Sequence, residues 1–121
     1  MDQTVCFSSD TIGWRTQVLT LDGDCDSSAA LEAERRILAA LGAGRTEIIL
    51  DLRGLISIDS SMLNVLFRGL IRSSAKDASL LLVRPNASVW TAFELRGLDR
   101  LLPTSYDLKD ALAGASHFGP G

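Results

Sequence analysis

Two hydroxyls and a carboxylate stand together in the run Ile58-Asp59-Ser60-Ser61-Met62-Leu63-Asn64-Val65-Leu66. Such a group could supply a nucleophile, a chemical switch or a helix cap. A nucleophilic serine needs a base to take its proton and a third group to orient that base. The single histidine is His117, near the C-terminus, where it reads as a surface residue. The nucleophile-elbow pattern G-x-S-x-G is absent, as is a P-loop. A serine hydrolase or nucleotide-hydrolysing enzyme is therefore disfavoured, and no catalytic residue is assigned. The cap reading is the simplest: Asp59, Ser60 or Ser61 accepts a backbone N–H bond at a helix start, a contribution of about 1 kcal/mol.

Other candidate clusters fail on spacing. Asp22, Asp24 and Asp26 alternate as DGDCD, like the start of a calcium loop, but Ser27 stands where that loop needs glycine. Ala33 stands where it needs a bidentate glutamate, so a turn followed by a helix cap is preferred. Gly42-Ala43-Gly44 follows a predicted helix rather than a strand, with no third glycine; it reads as a helix C-terminus with left-handed backbone. Cys6 and Cys25 have neither a CxxC spacing nor histidine companions. No metal and no cofactor is expected.

The elements that must position the serines belong to one domain of 121 residues, 46% hydrophobic and 22% charged, values typical of a globular chain. The formal net charge is −3, and the twelve Lys and Arg residues are scattered, the densest pair being Arg35-Arg36. That balance disfavours nucleic acid as a partner. The first residues lack the cationic and apolar regions of a signal peptide, and no apolar stretch reaches the length of about 18 needed for a membrane span. The expected location is the cytoplasm, where a Cys6–Cys25 disulfide is not favoured.

Alternating strand and helix patterns predict an α/β fold. Residues 4–7 read as a short strand, with Ser8 to Gly13 as a hairpin turn. Residues 15–21, RTQVLTL, read as a strand ending at Asp22-Gly23-Asp24. After the cap cluster Asp26-Ser27-Ser28, the spacing of Leu31, Glu34, Ile37, Leu38 and Leu41 predicts the apolar stripe of a helix. Residues 46–52 form a fully buried strand, broken at Arg53-Gly54, with Leu55 to Ile58 as an extended connection. A helix from Ser60 to about Ala75 packs through Met62, Leu63, Leu66 and Leu70, with Asn64, Arg68 and Arg72 opposite. Strand 79–83 precedes a helix that Pro85 starts and that carries Val89, Phe93 and Leu95. A short strand near Thr104–Tyr106 and a helix capped by Asp107, from Leu108 to about Ala113, complete the chain. Together these make a central mixed, mostly parallel sheet of four to five strands with about four helices.

At this point the chain resembles a known family. The run Ile48-Ile49-Leu50-Asp51-Leu52-Arg53-Gly54-Leu55, followed by Ile58-Asp59-Ser60-Ser61, is similar to the signature of the STAS domain, the fold of bacterial anti-sigma factor antagonists. That signature is a buried strand, a short connection and D-S-S-G-L at a helix start. Leu21 to Asp26 matches the family's L-x-G-(D/E)-(L/I)-D turn. Phe93 to Pro103 matches its late F-x-x-x-G-L turn, and Tyr106 to Ala111 its last strand and helix. The resemblance implies a STAS-like domain over residues 1–114, and the polar, glycine-rich end reads as a disordered tail over 115–121.

It also implies a function. In such antagonists the first serine of D-S-S is phosphorylated by the partner, an anti-sigma factor that is itself a serine kinase. That position is Ser60, with Ser61 as second choice. Unphosphorylated antagonist binds the anti-sigma factor, and phosphorylated antagonist lets go. The implied partner-binding residues are Asp24, Asp26, Asp59, Ser60, Ser61, Met62 and Leu63, on a monomer or weak dimer. Met62 departs from the family's glycine, and two readings stay open. It packs inside its own domain, leaving function unchanged, or it projects toward the partner and alters the choice of kinase or blocks phosphorylation. The alternative function is an unphosphorylated STAS scaffold, or a subunit of a larger regulatory or transport assembly.

Overall fold

The computed structural model describes residues 6–117. Its elements are β1 (Cys6–Ile12), β2 (Thr16–Cys25), α1 (Ser27–Gly42), β3 (Glu47–Ile58), α2 (Ser60–Ala75), β4 (Ser79–Val83), α3 (Ala87–Leu95), a 3-10 turn (Leu98–Arg100), β5 (Thr104–Ser105) and α4 (Leu108–His117). The five strands form one sheet in the order β1-β2-β3-β4-β5. Only β1 runs antiparallel to its neighbour; β2 through β5 are parallel. Class, element order and mixed sheet are those expected from the alternating pattern.

Strand alternation sends side chains to two unequal cores. Leu19, Leu21, Ile48, Leu50, Leu52, Leu80 and Leu82 face α1, α2 and α3, and meet Ile37, Met62, Leu66, Trp90 and Phe93 there. Val18, Ile49 and Val83 point to the other face, where Ala111 of α4 closes a smaller cluster with Leu81, Leu108 and Leu112. The continuous apolar runs of β3 and β4 are thus explained by burial on both faces.

Several elements depart from the sequence reading. The hairpin is tighter, because residues 8–12 continue β1 and pair with β2 down to Ile12↔Thr16. Asp22-Gly23-Asp24 is not a turn, and Arg53-Gly54 is not a break. β2 and β3 both run on and pair as far as Cys25↔Ile58, with register shifts at Thr20/Asp22 and Gly23/Asp24. Gly54 leaves room for the Asp22 side chain, which a Cβ at that position would push aside. The polar and glycine residues that suggested loops therefore mark β-bulges.

In α1 the packed face lies on the alanines. Ala29, Ala30, Ala33, Ile37, Ala40 and Leu41 are buried, whereas Leu31 and Leu38 are exposed. Ile37 and Leu41 of the expected stripe are in the core, but small residues fill the rest of that face, and Leu31 and Leu38 lie outside it. In α3, Trp90 joins Val89 and Phe93 in the core, and Leu95 is exposed. Pro85 does not open that helix; Asn86 caps it by accepting from Val89 N at 3.0 Å. Of the Gly42-Ala43-Gly44 stretch, only Gly44 takes a left-handed backbone. α4 runs on to His117 rather than ending near Ala113. The rest of the expected tail, 118–121, lies outside the described residues, as do residues 4 and 5 of the expected first strand.

Candidate functional site

The serine pair sits where β3 hands over to α2, and its position follows from the β2–β3 register. Parallel pairing at Asp24↔Ser57 and Cys25↔Ile58 brings the C-terminal ends of the two strands side by side. Each strand then enters a helix through an aspartate cap. Asp26 Oδ1 accepts from Ala29 N at 3.0 Å, and Asp59 Oδ1 accepts from Met62 N at 3.1 Å. The two N-caps share extended backbone, which aims their carboxylates across the first turn. Asp26 also accepts from the Ser28 hydroxyl at 2.9 Å. The Ala29 and Ser28 hydrogen bonds hold its carboxyl below the ordinary range.

Asp59, not a serine, is the cap, which leaves both hydroxyls free of that task. Ser60 is the first residue of α2 and is exposed. Ser61 is half-buried and turns toward α1, lining a groove with Ser27, Ala30, Leu31, Asn64 and Arg68. The two serines are therefore unequal in access, and Ser60 is the open one. The N–H groups of Ser60 and Ser61 belong to the unpaired first turn, where the helix field favours negative charge.

Met62 and Leu63 fall on the other side of the helix, 0% and 4% exposed and set in the main core. Expected among the partner-facing residues, their side chains face inward instead. The reason is helical geometry: two and three positions on from Ser60, α2 has turned toward the sheet. Of the two readings of Met62, the structure has the one in which it packs inside its own domain.

Two features of the site were not singled out in the sequence. The Ser57 hydroxyl donates to Asp24 Oδ1 at 2.7 Å across the strand ends. Arg68 clasps Glu34 with two bonds, Nε–Oε2 at 3.0 Å and Nη2–Oε1 at 3.3 Å, tying α2 to α1. That guanidinium holds the Glu34 carboxyl below its ordinary value, and the carboxylate raises Arg68 in turn. No spacing rule announces either contact; both depend on which strands and helices are neighbours. Asp22 and Asp24, read as part of a turn, lie in β2. No group of carboxylates, cysteines or histidines suited to a metal ion occurs among the described residues. No helix there is long and apolar enough to cross a membrane.

A mostly parallel sheet with one antiparallel edge strand, three helices on one face and a serine pair at an aspartate-capped helix start are the features of an α/β domain of the STAS type. The chain belongs to the STAS domain family: the family model described as "Mlab, STAS domain" matches residues 11–103. No functionally curated protein matches the sequence. Among solved structures the chain is similar to an anti-sigma factor antagonist from Mycobacterium paratuberculosis, with TM-score 0.82 and 19% identity over 94% of this chain and 96% of that one. It is similar to the anti-sigma factor antagonist SpoIIAA in its unphosphorylated form, with TM-score 0.83 and 21% identity over 93% and 98% of the two chains. The phosphorylated form of SpoIIAA, described as a Bacillus cell fate determinant, gives TM-score 0.74 and 22% identity over 91% and 99%. At these identities the likeness establishes the fold.

Proposed function

We propose that the protein is an anti-sigma factor antagonist, a protein-binding switch rather than an enzyme. Its partner is an anti-sigma factor of the serine-kinase type, and phosphorylation at Ser60 releases it. The observation that carries this reading is the position of Ser60: exposed, first in α2, with the capping role already filled by Asp59. The likeness to antagonists solved in unphosphorylated and phosphorylated forms supports it. The docking surface comprises Asp24, Asp26, Asp59, Ser60 and Ser61, with the cytoplasm as the working compartment.

Physical chemistry supports release without unfolding. A phosphoserine adds nearly two negative charges. At the first turn of α2 the free N–H groups and the helix dipole accommodate them, so the domain keeps its fold. In a docked, partly dry interface the same charge meets Asp59 and loses water. A penalty of about 4 kcal/mol weakens binding roughly a thousandfold. The test compares wild type and Ser60→Asp for binding to the cognate anti-sigma kinase. Equal affinity would sink the switch.

The alternative is a STAS scaffold, or a subunit of a larger regulatory or transport assembly, that is never phosphorylated; the burial of Met62, which stands where the family pattern has glycine, removes the reason to prefer it. Mass spectrometry after incubation with the kinase and ATP separates the two. Phosphate on Ser60 supports the switch; its absence from both serines supports the scaffold.

A further inference from the structure

The starts of the parallel strands, at the end of the sheet remote from Ser60, carry two cavities. The first, of about 210 Å³, is apolar and lies between Ile49, Leu81 and Pro103. It is on the α4 side of the sheet, where Ile49 and Leu81 also belong to the smaller core. The second, of about 530 Å³, opens to solvent and is lined by Trp14, Arg15, Glu47 and Asp77. Glu47 and Ser79, partners in the β3–β4 register, line both, so the two cavities adjoin across this one pair. Backbone bonds hold the walls in place. Arg15 O accepts from Thr46 N at 3.0 Å and from Glu47 N at 3.1 Å, and Ser79 N donates to Thr46 O at 2.9 Å. Asp77 takes the left-handed backbone (φ 56°) with which the chain turns from α2 toward β4.

Three charged groups line the open cavity, and none of them forms an ion pair among the described residues. Arg15 and Glu47 are half-buried, so each has already lost part of its water. Arg15 stacks on the exposed Trp14 ring, with its guanidinium carbon 5.0 Å from the centroid. Stacking uses the face of the guanidinium and leaves its N–H edge for an anion. The Glu47 carboxylate accepts from the Thr16 hydroxyl at 2.6 Å and has capacity for further donors. Two more cations stand close in sequence, Arg45 and Lys76. Neither lines the cavity, and Arg45 is engaged with the Trp14 carbonyl at 2.8 Å and with Gln17. A guanidinium and two carboxylates that face one hollow without pairing suit a guest that carries both signs. The adjoining apolar cavity suits an uncharged third part of that guest. An apolar cavity of about 150 Å³ already holds a benzene ring. The space beside Ile49 and Leu81 therefore takes a branched alkyl or phenyl group.

We propose that the two cavities together bind a free apolar α-amino acid, of the size of leucine or phenylalanine. Its carboxylate meets Arg15, and its ammonium meets Glu47 and Asp77. Its side chain passes Ser79 and sits between Ile49, Leu81 and Pro103. Opposite charges on one carbon, with an apolar group attached, set this ligand apart from a fatty acid, an alkyl amine or an internal peptide segment. The site is independent of the reading of Ser60, which follows the far end of β3.

Fluorescence titration of the full chain tests the site. Trp14 lines it and Trp90 is buried in the core, so a bound ligand changes the emission of the exposed ring. L-leucine and L-phenylalanine should each give a saturable change, with one site by calorimetry. Isopentylamine, which is leucine without its carboxylate, and isocaproate, which is leucine without its ammonium, should bind about tenfold more weakly or worse. L-serine, which lacks the apolar group, should not compete. Arg15→Gln and Glu47→Gln should each weaken L-leucine by about tenfold or more, and Asp77→Asn, which tolerates the same backbone, by less. Ser79→Phe, at an exposed position, should block the apolar cavity, and circular dichroism checks that each variant folds. No saturable response to either amino acid in the millimolar range overturns the proposal. So does binding that both Arg15→Gln and Glu47→Gln leave unchanged, or an amine or acid analogue that matches L-leucine.

Discussion

The hydroxyl of Ser57 donates to the carboxylate of Asp24 at 2.7 Å, joining the last turns of chain in β3 and β2 before each enters its helix. This bond spans 33 positions of sequence and pins together the two strand ends from which the candidate docking surface is built. It is exposed, so its expected contribution is at the low end for a hydrogen bond, about 0.5 kcal/mol. Ser57→Ala should therefore leave stability nearly unchanged in urea denaturation, while loosening the strand ends enough to raise amide exchange at Cys25 and Ile58.

The cap at Asp59 should matter more to the fold than either serine. Asp59→Ala removes the acceptor for Met62 N and should cost about 1 kcal/mol. In a thermal melt that corresponds to a drop of about 4 °C. Ser60→Ala, at an exposed site without a cap role, should melt within about 2 °C of wild type, since such surface changes stay within about 0.5 kcal/mol.

Restoring the family glycine at position 62 should damage this protein. Met62 is fully buried beneath the sheet's main core. Met62→Gly deletes that packing and places glycine inside a helix, for a combined loss of about 3 to 5 kcal/mol. Urea denaturation measures it. A near-neutral result would mean that the side chain is not in the core.

Asp51 gives a test on the other face of the sheet. Its carboxylate is buried and held by Arg53, Nε–Oδ1 at 2.9 Å and Nη2–Oδ2 at 2.8 Å, with the Arg53 N–H adding a third bond at 3.2 Å. Arg53→Met leaves a buried carboxylate with one remaining donor and should destabilise the domain by about 1 to 3 kcal/mol. Asp51→Asn/Arg53→Met should recover part of that loss, because no charge is then left buried without its partner.

Glu34 sets an acid limit. Its carboxyl is held below the ordinary value of 4.5 by Arg68, so its folded value lies below its unfolded one. The stability from this clasp is fully present above about pH 4.5 and is lost as pH falls through the depressed folded value. Glu34→Gln should flatten that part of the acid limb in urea melts at stepped pH. Asp26, depressed by its cap hydrogen bonds, works in the same direction below its ordinary value of 3.8. A slope unchanged by Glu34→Gln would mean that the clasp does not persist in solution.

Much of this protein is legible in its sequence, because the signals are local. Apolar runs at residues 48–50 and 80–83 specify buried strands, and the Asp59-Ser60-Ser61 run before an apolar helix specifies a cap, which the structure assigns to Asp59. Class and element order follow from such patterns, and the resemblance to the STAS family adds the candidate phosphoacceptor. What only the tertiary structure decided depends on neighbours. The spacing of Leu31, Ile37, Leu38 and Leu41 suggests one core face in α1, yet four alanines share that face with Ile37 and Leu41, and Leu31 and Leu38 turn outward. Asp22 to Asp24 and Arg53-Gly54 read as loops, because polar and glycine residues usually end strands. Here Asp22 pairs with Gly54, and Gly23 and Asp24 pair with Leu55 and Ser57, and the pairing outweighs both local preferences. Met62 could face in or out by its type alone; the turn of α2 relative to the sheet buries it. Sequence determines which chemistry is present, and burial and register, set by contacts far apart in the chain, decide which side chains can use it.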